Sequence, residues 1–225
     1  MIIKKTPSDI ELLKEGGKHH SAILRELEKA TVPGVSTNEL EELARKLLKE
    51  YGDTAAFLRY MPEGAKIPYP AALSVSVNEE IVHGIPNEDP KILKEGDVVT
   101  LDLGLTHKGL ITDSAITVGV GTISPEEKRL IEGTKESLYA GIKAAKGGGH
   151  IGDIGFAVEE VAKRLGLNIA EGLAGHGVGY KVHEDPFVPN TGKKGTGEKL
   201  VPGMVIAIEP MLVLGKGDIV LAKDG

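Results

Sequence analysis

Apolar positions recur at helical spacing in four stretches of this chain and alternate at strand spacing in others. Ile10, Leu13, Ile23, Leu24 and Leu27 form a mixed helical stripe that opens at Thr6-Pro7-Ser8-Asp9 and runs to about Ala30. Thr6 can cap this helix, Pro7 suits its first position, and an acid follows in the first turn. Val32-Pro33-Gly34-Val35 breaks it. Ser36-Thr37-Asn38-Glu39 has the form of a capping box, which opens a second helix. That helix carries Leu40, Leu43, Ala44, Leu47 and Leu48 on one face and ends near Tyr51-Gly52.

The period then changes. After a proline-rich loop over residues 61–70, Leu73, Val75, Val77, Ile81 and Val82 predict a strand over residues 72–82, which His83-Gly84-Ile85-Pro86 stops. Residues 97–119 read as two strands about the polar turn Thr106-His107-Lys108-Gly109. With Leu105 opposite Leu110, Asp102 falls directly opposite Asp113 on the same face, with Cβ atoms about 4.5–5.5 Å apart. Facing carboxylates repel, and more so in an apolar sheet. Three arrangements relieve them: a shared divalent cation, one protonated member of a dyad, or one Asp turned to solvent.

Beyond the hairpin the pattern restarts. Ser124-Pro125-Glu126-Glu127 repeats the logic of cap, proline and acids, and opens a helix to about Lys146. Gly147-Gly148-Gly149 breaks it where Pro33-Gly34 broke the first. The next helix carries Ile154, Ala157, Val158, Val161 and Ala162, each 114 residues after its counterpart in the second helix. Matched caps and breakers favour two related halves, each helix–loop–helix followed by β, over chance likeness of amphipathic helices. Halves related in this way would set a site in the groove between their sheets.

Composition narrows the class. At 225 residues and 40% hydrophobic, the chain can bury a sizeable core and reads as a soluble globular protein. A net charge of −6 without a basic stripe argues against nucleic acid as a main ligand. With no cysteine there is neither a disulfide nor a thiolate metal site, which suits a reducing, cytoplasmic setting. The N-terminus lacks the apolar core of a signal peptide, and no apolar run is long enough to span a membrane.

The second half holds further candidate chemistry. His176 sits among glycines in Gly172-Leu173-Ala174-Gly175-His176-Gly177-Val178-Gly179, and a satisfied turn histidine is the plain alternative. Val205-Ile206-Ala207-Ile208-Glu209-Pro210-Met211-Leu212 is an apolar strand with one carboxylate. Buried, Glu209 needs a partner or becomes neutral; alternatively it points outward on an edge strand, which Pro210 permits. His183 in Lys181-Val182-His183-Glu184 reads as a loop or strand-end residue. His19, His20 and His107 read as solvated or helix-packed. The triple glycine lacks the context of a phosphate loop and reads as an interhelix turn. No Gly-x-Ser-x-Gly elbow is present.

Five motifs now stand in order along the chain: Asn78-Glu79-Glu80-Ile81-Val82-His83-Gly84-Ile85-Pro86, Leu101-Asp102-Leu103-Gly104, Thr112-Asp113-Ser114, Gly175-His176-Gly177-Val178-Gly179 and Ile208-Glu209-Pro210-Met211. Together they resemble the signature of the type I methionine aminopeptidases. The resemblance implies an α+β pita-bread fold, with two pseudo-twofold-related helix–helix–β halves around a central antiparallel sheet. It implies one catalytic domain over residues 1–225, with internal halves of about 1–120 and 121–225. It also implies two divalent ions (Co²⁺, Mn²⁺, Fe²⁺ or Zn²⁺) held by Asp102, Asp113, His176 and Glu209, with Asp113 bridging. Such ligands suit those ions, and two cations make a shared water nucleophilic near neutral pH.

By the same resemblance, Glu209 shuttles a proton to the leaving amine, His183 steadies the developing oxyanion, and His83 contacts the scissile-bond nitrogen. Tyr69 belongs to the wall of the methionine pocket. The implied substrate is the N-terminal methionine of nascent chains, the implied setting is a cytoplasmic monomer, and docking at the ribosome follows only from the family. Two other readings remain: a peptide-binding protein with impaired chemistry on this fold, and an Xaa-Pro aminopeptidase relative. The family also uses a Glu on a final strand as a fifth ligand, about thirty residues past the position of Glu209. The 16 residues after Glu209 contain no Glu. Residues 204–214 and 219–222 read as strands and 223–225 as a turn, so the expectation is a chain clipped at its C-terminus, with weak metal binding and little activity.

Overall fold

The computed structural model describes residues 2–61 and 67–223. Part of the expected proline-rich loop and the end of the expected terminal turn lie outside the described residues. The chain divides into two compact units, one of Pro7–Ser124 with Gly179–Val182, the other of Met1–Thr6, Pro125–Val178 and His183–Gly225.

In the first unit, helix α1 spans Pro7–Ala30 and α2 spans Thr37–Tyr51. Ser36 caps α2: its side chain accepts from the Glu39 N–H, while the Glu39 carboxylate accepts from the Ser36 N–H at 2.8 Å. Gly52, at φ 75°, ends the helix in the left-handed region and donates to the Leu48 and Lys49 carbonyls. A side chain there would meet its own backbone, which is why glycine serves.

Strands β1 (Thr54–Ala55), β2 (Leu73–Val77), β3 (Val98–His107) and β4 (Leu110–Gly119) form one antiparallel sheet. β3 is its spine. β4 lies along one edge, and β2 and β1 follow one another along the other. Val99, Leu101, Leu103 and Leu105 of β3 are fully buried and pack in one cluster with Ile23, Leu27, Leu40 and Ala44. Burying a side chain of this size contributes about 1.5–3 kcal/mol, so this cluster anchors the sheet.

Two strand expectations change. The hairpin closes through Lys108 and Gly109 alone, at φ 48° and 83°, and pairs His107 with Leu110. Two consecutive positive φ values make the tight turn whose twist suits a hairpin. The ladder is therefore displaced by two residues from the register expected from Leu105 and Leu110. The strand expected over 72–82 also stops at Val77, because Asn78 turns with φ 57°.

In the second unit, α3 spans Pro125–Ala144 and α4 spans Ile151–Leu165. Strands β5 (Asn168–Ile169) and β8 (Leu212–Val213) pair antiparallel, as do β6 (Ala174–Gly177) and β7 (Glu184–Pro189). The core is split: Ile151, Ile154, Val188 and Leu200 form one cluster, and Ala162, Leu167 and Leu212 another. The strand expected over 204–214 is mostly extended chain without a regular ladder. Ile206 bridges Gly177, and only β8 pairs as a strand. Residues 219–222 form no ladder among the described residues, and Val220 and Leu221 are exposed. Lys5 pairs with Glu184 at 2.5 Å, with both side chains buried.

Candidate functional site

In the first unit, Asp102 lies mid-β3, flanked by Ser74 of β2 and Ala115 of β4. Asp113 on β4 faces Gly104. The two acids are thus not directly opposite, which corrects the expected pairing. The displacement is by two residues, however, and side chains alternate with a period of two. Asp102 and Asp113 therefore keep a common face, as diagonal neighbours about 7–8 Å apart. It is the half-buried face, opposite the Val99–Leu101–Leu103–Leu105 stripe. Gly104 leaves room there for Phe57, whose ring would lie 2.5 Å from an added Cβ.

His83 follows β2 on an exposed loop, at φ 61°. The next residue pins it. The Gly84 carbonyl accepts from the Val75 N–H at 3.0 Å, and a Cβ at Gly84 would lie 2.2 Å from the Val75 carbonyl oxygen. The Tyr69 hydroxyl donates to that same Gly84 carbonyl at 2.8 Å. Burial raises the Tyr69 phenol above its ordinary range, so it stays a donor. Tyr69 is thereby tied to the loop that presents His83.

In the second unit, β6 is placed by close backbone contact. A Cβ at Gly175 would meet the Ala207 carbonyl oxygen at 2.2 Å, and one at Gly177 would meet the Asp185 carbonyl oxygen at 2.2 Å. The Ala207 N–H donates to the His176 carbonyl at 2.7 Å, and the Val178 N–H donates to the Val205 carbonyl at 3.1 Å. These bonds bring His176 beside Glu209, with Nε2 3.1 Å from Oε1. His183 joins them, its ring edge-on to that of His176 with centroids 4.3 Å apart. Asn190, buried, donates to the Glu209 carbonyl at 2.7 Å and holds its backbone.

The chemistry of this group is specific. Nδ1 of His176 lies 2.9 Å from the Gly177 carbonyl, so it carries the proton and leaves Nε2 as a lone pair. Oε1 of Glu209 is sealed from solvent and has no hydrogen-bond partner. The lone-pair nitrogen of a half-buried ring and a buried carboxylate oxygen at 3.1 Å are two acceptors facing one another, an arrangement a cation relieves. Imidazole and carboxylate donors, with no thiolate, fit a divalent first-row ion. Glu209 falls between its two alternatives: the side chain is 38% exposed, while Oε1 is sealed and faces His176.

Sequence reasoning missed several residues that build these positions. Glu41 is buried and accepts from the N–H groups of Ala72 and Leu73 at 2.8 and 2.7 Å, fixing the start of β2. Its place on the apolar side of α2, three residues before Ala44, was the available signal. Asn190 gave none. His20 and His107 are buried, and His19 stacks on Tyr51.

These features define a metal-dependent hydrolase scaffold, and comparison with known proteins agrees. The model of metallopeptidase family M24 matches residues 11–224, and the chain belongs to that family. A methionine aminopeptidase from Aquifex aeolicus is 45% identical over 221 residues, covering 96% of this chain and 84% of its own. Methionine aminopeptidase 1 of Bacillus subtilis is 40% identical, with 96% and 84% covered. The crystal structure of methionine aminopeptidase from Thermotoga maritima superposes with a TM-score of 0.93 at 41% identity, covering 100% of this chain and 88% of that one. A prolidase from Pyrococcus furiosus, at 23% identity and a TM-score of 0.75, shares the fold alone. The α+β pita-bread class expected from the sequence is the one these neighbours share.

Proposed function

We propose that this protein removes the N-terminal methionine of other polypeptides by metal-dependent hydrolysis. The observation that carries the reading is the His176–Glu209 pair, a lone-pair nitrogen facing a sealed, unpartnered carboxylate oxygen within a chain 45% identical to a methionine aminopeptidase. Asp102, Asp113, His176 and Glu209 would hold two divalent ions, among Co²⁺, Mn²⁺, Fe²⁺ and Zn²⁺. Bound there, divalent ions would supply Lewis acidity to make water nucleophilic near neutral pH and to polarise a carbonyl.

The chain's own groups do the rest. Glu209 accepts a proton from the attacking water and returns it to the departing amine. His183 donates to the carbonyl oxygen as charge develops on it. His83 donates to the scissile nitrogen, and Tyr69, through Gly84, keeps the His83 loop in place. The substrates are nascent chains met in the cytoplasm, at or near the ribosome, by a monomeric enzyme acting in one catalytic domain.

The test compares release of methionine from Met-Ala-Ser with cleavage of an Xaa-Pro peptide, each with Mn²⁺ or Co²⁺ added. Methionine release should exceed Xaa-Pro cleavage, should vanish on chelation, and should fall by a factor of about 10² or more in Asp113→Asn. Equal rates for native and Asp113→Asn chains would remove the carboxylate from the chemistry. Preferential Xaa-Pro cleavage would move the chain to the prolidase branch.

A further inference from the structure

The first unit contains a second set of metal-ligand groups that the hydrolytic reading does not use. Nδ1 of His19 lies 2.8 Å from Oδ2 of Asp53, and Nδ1 of His107 lies 2.6 Å from Oδ1 of the same carboxylate. One ligand atom from each residue can be chosen so that all lie within 4.8 Å of one another. The groups come from three elements: His19 from α1, Asp53 from the turn after α2, and His107 from the end of β3.

The Asp53 side chain is fully buried, and its hydrogen-bond partners among the described residues are these two imidazoles. A carboxylate so placed needs positive charge beside it. His107 has a second carboxylate on its far side, with Nε2 buried and 3.2 Å from Oε2 of Glu15, off the hydrogen-bond line. Contact with Lys108 first, and with His107 next, holds the Glu15 carboxyl below its ordinary range, so it is an anion. With Nε2 beside the Glu15 anion but not hydrogen-bonded to it, the Nδ1 side that faces Asp53 carries either the ring proton or a lone pair. Two acceptors at 2.6 Å then require a proton or a cation between them.

We propose that His19, Asp53 and His107 form a zinc site, with Glu15 as the outer carboxylate that orients His107. Two imidazole nitrogens and one carboxylate make a three-ligand set that Zn²⁺ completes with a solvent or protein group. The open side is that of His19, whose side chain is 23% exposed, while those of Asp53 and His107 are 0% and 7% exposed. Bonds of about 2.0 Å at the tetrahedral angle set neighbouring ligand atoms roughly 3.3 Å apart. To reach that spacing from 2.8 and 2.6 Å, the imidazoles need to withdraw from the carboxylate by roughly 0.5–0.7 Å. The His19 ring, held face-on by Tyr51 at 4.6 Å and edge-on to His107 at 5.1 Å, is already oriented for this. Carboxylate behind imidazole behind metal is the usual support of a bound zinc. The ion would tie the first helix to the turn after the second and to the hairpin.

The test uses the full chain with Asp102→Asn and Asp113→Asn, so that metal bound at the proposed hydrolytic ligands is weakened. Equilibrium dialysis against Zn²⁺ alone should leave one tightly held equivalent. Adding His19→Ala should remove it, and Glu15→Gln should weaken it about 10–100-fold. His19 is half-buried at the surface, so its truncation leaves the core intact. The unsubstituted chain gives a second readout through its histidine side-chain ¹⁵N resonances. On adding Zn²⁺, Nδ1 of His19 and of His107 should shift together. An unchanged zinc count in the His19→Ala chain, or Nδ1 signals that stay still at saturating Zn²⁺, would reduce the cluster to a hydrogen-bonded clamp and overturn the proposal.

Discussion

The helix that opens at Ser36 and the helix that opens at His150 start 114 residues apart, and they match position by position. Leu40, Ala44 and Leu48 are buried, as are Ile154, Val158 and Ala162. Leu43 and Leu47 are half-buried, as are Ala157 and Val161. Glu39 and Asp153 each accept from the N–H of the residue three before. Gly52 and Gly166 both end their helices at positive φ with the same pair of carbonyl contacts, and β1 and β5 come next at the same spacing. Past those short strands the likeness ends. The first unit builds a four-stranded sheet held by large side chains, whereas the second builds two short ladders held by glycine backbones and one buried ion pair. Local helix chemistry is alike in the two units while the sheets diverge, so the caps are the constant part of the design and the sheets the part free to carry different ligands.

The sharpest way to break the comparison is at Lys5, the buried lysine of the second unit. Lys5→Met removes the buried cation that faces the Glu184 carboxylate, and should cost about 3–5 kcal/mol of stability, read from urea unfolding. A loss under about 1 kcal/mol would mean the pair behaves as a surface contact.

Next in size is a difference on the other side. The first unit buries an imidazole, His20, whose Nδ1 meets the Thr112 hydroxyl at 2.9 Å and whose Nε2 is unpartnered. Burial brings its pKa from 6.5 down to about 4. Between those values the unfolded chain binds a proton that the folded chain refuses. Stability is therefore full above pH 6.5 and falls as pH drops toward 4, by on the order of 3 kcal/mol in all. His20→Gln should flatten that stretch of the stability–pH curve, and a curve that keeps its slope would assign the dependence elsewhere.

The smallest effects sharpen the likeness itself. Gly52→Ala and Gly166→Ala each force an alanine into the left-handed region and should each cost about 1 kcal/mol. The two losses should agree within about 0.5 kcal/mol. Unequal losses would show that the caps are alike in shape but not in the load they carry.

What the sequence made legible was the part that short-range chemistry decides. Ser36 with Glu39, and Pro125 with its acids, announce their helices because capping involves residues three or four apart. The hairpin register was less legible, since Lys108 is an unusual residue for φ 48° and nothing in its side chain signals the tight turn. The common face of Asp102 and Asp113 still emerged, because an error of two residues preserves which way a side chain points. The stretch 204–214 was misjudged for the opposite reason: its apolar run fits a strand, but whether it pairs depends on segments far away in the chain. The grouping of His19, Asp53 and His107 was invisible, because only the packing of α1 against β3 joins residues so distant in number.

The contact between Lys5 and Glu184 has a bearing on how this polypeptide takes shape as it is made. Lys5 belongs to the unit whose other segments follow Ser124, so its contact with Glu184 forms only after Glu184 has left the ribosome. Most of the first unit can assemble ahead of them, its long hairpin being a neighbour in sequence. Closing the second unit is therefore a late event that joins Lys5 to a strand about 180 residues further along the chain.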